Sequence, residues 1–176
     1  MGLLNYKTFF VLLFVVVLNV AVFILLWQLN FFVHGDLYNY GLVFSSDWAK
    51  GVWHNNLSCW AFILGATAFT IVAMIPHYMQ SRKPGPSHFL AFTGFLLSAC
   101  AIVYEALAIF FLNQLDTIVR TTLYDFGIPP SFDWSATYEP LIGTAYALTT
   151  ISLLTLIIPA VRSLGIIKIE ITDEEE

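Results

Sequence analysis

Four long apolar runs dominate the chain: Thr8–Val33, Leu57–Tyr78, Phe89–Leu115 and Leu141–Val161. A hydrocarbon core of about 30 Å is crossed by roughly 20 helical residues, and each run meets that length. Inside lipid the backbone must pair its own N–H and C=O groups, which leaves helices or closed barrels. Barrel strands alternate apolar and polar residues, and these runs do not. The expected fold is all-α, an integral membrane four-helix bundle. Composition agrees with this, because 59% of the 176 residues are hydrophobic and only 11% charged, whereas soluble domains carry roughly 25% charged residues.

The first run is longer than the apolar segment of a secretory signal and has no small-x-small cleavage site, so it reads as a retained helix. Of the Lys and Arg residues, Lys7, Arg82, Lys83, Arg162 and Lys168 fall on one side of the predicted spans, and Lys50 and Arg120 on the other. The positive-inside rule then predicts a multi-pass protein of the cell membrane, with both termini and the "QSRKPGPS" turn cytoplasmic. That turn is too brief for a domain linker, so residues 1–176 form one domain. The net charge of −5 comes partly from the tail at 170–176, where five of seven residues are acidic; such a run is ordinarily a solvated face. No basic cluster exceeds two residues, which argues against a nucleic-acid partner. Cys59 and Cys100 fall inside apolar runs with no CxxC spacing, as buried free thiols do.

A second constraint is internal similarity. "QLNFFVHGDLYNYGLVFSSDWA", from Gln28, aligns without a gap to "QLDTIVRTTLYDFGIPPSFDWS", from Gln114, with nine of 22 positions identical at an offset of 86 residues. Two such units, about 1–83 and 87–169, account for nearly the whole chain. Each unit is helix, outer loop, helix. Two crossings return the chain to its starting side, so the units are parallel and a pseudo-twofold axis along the membrane normal is expected.

The repeated phrase has a folding role at every residue. Ser45 and Ser131 suit a helix N-cap, and Asp47 and Asp133 suit the donor-rich first turn. Tyr38, Trp48, Tyr124 and Trp134 suit the headgroup belt, and Gly41 and Gly127 allow a positive φ. This reading closes each hairpin and starts a short interfacial helix before the next span. The functional alternative makes the two Asp–Trp corners an outer site for a cation or partner protein.

Glu105 lies within roughly 5 Å of the middle of its run at 1.5 Å per residue. A carboxyl there costs at least about 2.5 kcal/mol on insertion scales and by default marks a functional site. The position 86 residues earlier is Asn19, also mid-run. Gly94, Ser98, Ala101, Glu105 and Ala108 form one stripe of mostly small residues, so Glu105 is expected in a helix–helix contact. Ala61–Gly65–Ala68 and Gly143–Ala147–Thr150 are shorter stripes of the same kind, and the first run has none. Glu105 reads either as a neutral carboxyl bonded to Asn19, Thr67, Tyr146, Thr149 or Thr150, or as a proton or cation relay.

The four histidines all lie near run ends, unlike bis-histidine haem ligands set within facing helices. Haem or metal is therefore not expected, His34 and His54 being the weak candidates, and bound lipid is. No nucleophile elbow, phosphate loop or HExxH motif is present. The leading expectation is a non-catalytic subunit docking other integral membrane subunits in a larger complex, an accessory chain of a membrane enzyme included. The alternative is a small proton- or cation-coupled transporter using Glu105, and a third is a redox subunit with haem or metal.

Pro129 and Pro130 replace Val43 and Phe44 in the second copy of the phrase, fixing two φ angles and removing two donors. The first copy is then the more adaptable surface. Trp48→Ala is expected to weaken partner association on blue-native gels, while Trp134→Ala mainly lowers stability; equal loss of association in both variants contradicts this.

Overall fold

The computed structural model describes residues 2–31, 46–82, 87–125 and 134–174. They form four helices: α1 (Gly2–Phe31), α2 (Ser46–Arg82), α3 (His88–Asp125) and α4 (Trp134–Glu174). Each carries a span long and apolar enough to cross a membrane: Lys7–Leu29, His54–Arg82, His88–Thr121 and Tyr138–Gly165.

Every helix packs on its neighbours in sequence, and α4 packs back on α1 to close the ring. The contacts give the directions. Phe9 meets Tyr78 and Trp27 stacks on Trp60 between α1 and α2. Cys59 Sγ faces the Ala108 carbonyl between α2 and α3. Tyr138 reaches Asp116, and Ser152 reaches Glu105, between α4 and α3. Ser152 and Arg162 of α4 reach Asn19 and Thr8 of α1. Neighbouring helices are therefore antiparallel throughout. One end of the bundle carries the chain termini, and the other the α1–α2 and α3–α4 connections; these are called the terminal end and the loop end.

The buried stripes have a heptad period. Thr8, Leu12, Val15, Asn19, Val22, Leu26 and Leu29 face inward from α1 in steps of four and three. Ser98, Ala101, Glu105, Ala108, Leu112, Leu115 and Val119 do so from α3, and Tyr138, Ile142, Ala145, Thr149, Ser152 and Leu156 from α4. A 3.5-residue repeat keeps one seam turned toward its partners along a shallow, coiled-coil-like crossing. Only 28–33% of each apolar span is buried inside the bundle, so most of the apolar surface, Phe10, Phe14, Leu64, Phe92, Phe110 and Leu154 included, is left for hydrocarbon. Lipid tails are as apolar as leucine, so helix association here rests on close packing and interhelical hydrogen bonds.

Two of the small-residue stripes lie elsewhere than inside. Ala61 and Ala68 of α2, and Gly143, Ala147 and Thr150 of α4, are exposed. The inward face of α4 is instead the stripe through Ala145, Thr149 and Ser152. α1, though it has no small stripe, is a full member of the ring. Among the described residues no separate interfacial helix precedes a second span, since α2 runs unbroken for 37 residues from Ser46 and α4 for 41 from Trp134. No proline interrupts α2 before Pro76, so the helix continues past the bilayer face. At 1.5 Å per residue, α2 to α4 are roughly 55–60 Å long, beyond the 40–45 Å of a whole bilayer.

The loop half of the bundle is filled by one large apolar cluster, including Val22, Leu26, Val52, Ile63, Leu112, Leu115 and Ile142. The terminal half holds a smaller cluster of Leu12, Val15, Ala73, Ala101 and Leu156. Between α2 and α3, Tyr104 lies over Gly65 between Phe62 and Phe69, with ring centroids 5.6 and 5.1 Å away. A Cβ at Gly65 would run into the pinned Tyr104 ring. Gly65→Ala should therefore destabilise the bundle by about 1–3 kcal/mol, an overpacking cost. In a Tyr104→Ala background the same change should be nearly neutral in a detergent-unfolding titration; an equal loss in both backgrounds contradicts the contact.

Candidate functional site

Three helices bring one polar side chain each to the same depth. Glu105 is 17 residues from the start and 16 from the end of its span; Asn19 is 12 and 10 from the ends of its own, and Ser152 is 14 and 13. All three have no measurable solvent exposure. Ser152 Oγ lies 2.8 Å from Glu105 Oε1 and 2.9 Å from Asn19 Oδ1. The fourth helix, α2, presents the buried Ile63 and Ala66 to the interior near this depth.

Proton counting decides the chemistry of this centre. A serine hydroxyl has one proton to donate, yet it makes two contacts to oxygen. With the Asn19 oxygen facing Ser152, the second proton belongs to Glu105, whose O–H donates to Ser152 while Ser152 donates to Asn19. Turning the Asn19 amide over would let Nδ2 donate to Ser152 and leave a bare carboxylate at mid-membrane. Neither Asn19 nor Ser152 carries a positive charge to offset it, and an unpaired buried carboxylate is far costlier than a neutral acid. The chain of three is therefore read as Glu105–Ser152–Asn19, each donating to the next.

The other partners expected for Glu105 are occupied elsewhere. Thr67 and Thr149 hydroxyls donate to the Ile63 and Ala145 carbonyls of their own helices, 2.7 Å away in each case. Tyr146 reaches Asn113 at 3.4 Å, and Thr150 is exposed. Ser152 was the residue that sequence reasoning passed over. Its signal was the stripe Ala145, Thr149, Ser152, which has the same spacing as the outward stripe beside it.

Charged groups gather at the bundle ends. Toward the loop end, Arg120 Nε is 2.9 Å from Asp116 Oδ1 and Nη1 is 3.1 Å from Glu139 Oε1. The buried Tyr138 hydroxyl donates to Asp116 at 2.9 Å. At the terminal end Arg162 donates to Thr8, and Arg82 lies 4.9 Å over the Tyr78 ring.

His34, Tyr38, Gly41, Ser45, Gly127, Ser131 and Asp133 lie outside the described residues. Asp47, Trp48, Tyr124 and Trp134 fall in helix ends, Asp47 and Trp48 in the first turn of α2 and Trp134 opening α4. His54 is exposed and meets the Phe111 ring edge-on at 6.3 Å. Among the described residues no group of three or more His, Cys, Asp or Glu side chains comes together. No family model, curated protein or solved structure matches the chain.

Ser152→Ala should cost about 1–3 kcal/mol, because it leaves both Glu105 and Asn19 short of a partner. A double-mutant cycle of Ser152→Ala with Asn19→Ala should give a coupling of about 0.6–1.7 kcal/mol, the range for hydrogen bonds between membrane helices. Additive losses would mean that the two residues do not act together.

Proposed function

We propose that this chain is a non-catalytic subunit of a larger membrane assembly, in which it docks and stabilises other integral membrane subunits, with lipid covering the rest of its surface. The observation that carries this reading is the outward stripe on α4. Gly143, Ala147 and Thr150 are exposed within the span, and a Cβ added at Gly143 would meet nothing within 4 Å. Small residues at this spacing let a second helix approach backbone to backbone. Among the described residues no helix covers the groove. On this reading the termini face the cytoplasm and the Asp–Trp phrases face outward, where they extend the docking surface.

The duplicated design belongs to the same proposal. It is supported by burial at positions 86 residues apart: Val15 and Ala101, Val22 and Ala108, Leu26 and Leu112, Thr70 and Leu156, Ala66 and Ser152, Asn19 and Glu105 are all buried pairs. The two units thus present the same faces inward, as a pseudo-twofold axis along the membrane normal requires.

Transport through Glu105 is the weaker reading. The loop half of the bundle is packed with Leu26, Leu29, Leu112, Leu115 and Ile142, and a continuous ion path needs polar lining on both sides of a site.

After mild extraction the wild-type chain should migrate with co-purifying subunits on native gels and in native mass spectra. Gly143→Leu with Ala147→Leu should release a folded, monodisperse single chain, since two bulky side chains fill the groove. A wild-type monomer with no partner sinks the proposal.

A further inference from the structure

A hydroxyl inside a helix can bond the carbonyl one turn back. Thr67, Thr70, Thr93, Thr117, Thr149 and Thr155 all do so here, each donating to the residue four positions earlier. Ser98 and Ser163 do not. Both are at most 1% exposed, and each Oγ is buried without a hydrogen-bond partner, as is Nε2 of the half-buried His77. Each orphaned polar atom in an interior calls for an explanation, and these three have one in common.

They gather at one level of the bundle, on three helices. Gly94 is eleven residues before Glu105 and Ser163 eleven after Ser152, so both lie about 16 Å from the central layer, at the edge of the hydrocarbon. Leu12, Val15, Ala73, Ala101 and Leu156 fill the space between, so this level is separate from Glu105. A Cβ built on Gly94 would lie 3.1 Å from His77 Nε2 and 3.5 Å from Ser163 Oγ. Ser98 is one turn further along the same face of α3, roughly 5–6 Å away. Side chains lean toward the start of their own helix. α3 starts at the terminal end, whereas α2 and α4 start at the loop end. Ser98 therefore leans back toward Gly94, while His77 and Ser163 lean inward toward Ser98. The three polar atoms converge beside a residue that has no side chain.

We propose that one ordered water molecule is bound at this point, bridging His77 of α2, Ser98 of α3 and Ser163 of α4. Partner counting favours water over a direct contact. A bond from Ser163 to His77 alone would leave Ser98 unsatisfied, and a bond between the two serines would leave the imidazole so. Water has two protons and two lone pairs, enough to accept from both hydroxyls and donate to the imidazole nitrogen. An internal water needs roughly two to four polar partners and room of about 10–15 Å³. Three helices supply the partners, and the absent side chain of Gly94 clears the room. The bound water has a consequence for the fold. α2 and α4 stand across the ring from each other, each packed on α1 and α3, and the water joins them. It forms a second polar layer, which fixes the terminal ends of the helices as Ser152 fixes their middles. This site is independent of the docking surface on α4.

The test is a crystal structure of the full chain grown from a lipid mesophase, beside that of the Gly94→Ala variant. The wild type should show a single spherical density peak within hydrogen-bond distance of His77 Nε2, Ser98 Oγ and Ser163 Oγ. The variant should lose it, since the methyl group takes the room. Detergent-unfolding titrations give an independent readout. His77→Phe combined with Ser163→Ala should lose less stability than the sum of the two single changes, because either one breaks the bridge. His77→Phe with Thr117→Ala, whose hydroxyl bonds its own helix in the loop half, should be additive. Should Gly94→Ala not stay monodisperse, the wild-type density and the double-mutant cycle decide. The proposal is overturned by a direct Ser163–His77 bond or a dry contact in place of the peak. Elongated density of a lipid or detergent there, a peak that persists in Gly94→Ala, or additive losses for His77 and Ser163 overturn it equally.

Discussion

A carboxyl group at the middle of a hydrocarbon slab must find its hydrogen bonds within the protein, and the arrangement of α1, α3 and α4 follows from that need. Glu105 is fully buried, and its carboxyl meets Ser152. Its partner has to be a small hydroxyl, because the heptad seam leaves little room at that depth, and Ser152 is the residue that fits. Ser152 in turn needs an acceptor, and Asn19 supplies it from the opposite side. Three helices are thereby set to one axial register by two bonds of 2.8 and 2.9 Å. Non-directional packing in lipid specifies register weakly, so a polar contact of this kind selects among sliding alternatives much as a buried asparagine does in a coiled coil.

From that layer the two halves of the bundle diverge. Toward the loop end the seam is branched and aromatic, with Phe62 stacked on Phe111 at 5.3 Å and Trp27 on Trp60 at 5.4 Å. Toward the terminal end the seam mixes Leu12, Val15 and Leu156 with Ala73, Ala101, Ser98 and Ser163, and Pro76 and Pro159 fall in this half. The central layer lies between the two apolar clusters.

The helices and their number were legible in the sequence, since apolar length alone dictates them. The burial of Glu105 was legible as well, because Gly94, Ser98, Ala101 and Ala108 mark its face as one that another helix must cover. The partner of Glu105 was not. α4 carries two adjacent stripes with the same spacing, Ala145–Thr149–Ser152 and Gly143–Ala147–Thr150, and both are rich in small residues. A single helix gives no information about which faces its neighbours; only the contacts of the assembled ring choose between them. The length of α2 and α4 was missed for a different reason. Hydropathy reports where a helix leaves the hydrocarbon, and nothing in Ser46–Asn56 obliges the backbone to stop being helical there.

On the duplication proposed above, the most telling differences between the two units lie on the buried faces, not in the outer phrases. Leu12 corresponds to Ser98, Asn19 to Glu105, His77 to Ser163 and Ala66 to Ser152. At the first two positions the second unit holds the more polar residue in α3, and at the last it holds the only hydroxyl that joins the central layer. A symmetric bundle with asparagine at both central positions would keep its register and hold no proton. Replacing one amide by an acid keeps a donor and an acceptor at the site while adding a group that can ionise. The alanine-to-serine difference then supplies, from α4, the hydroxyl that meets the acid. Packing thus preserves the twofold pattern, and chemistry breaks it where α3 and α4 meet.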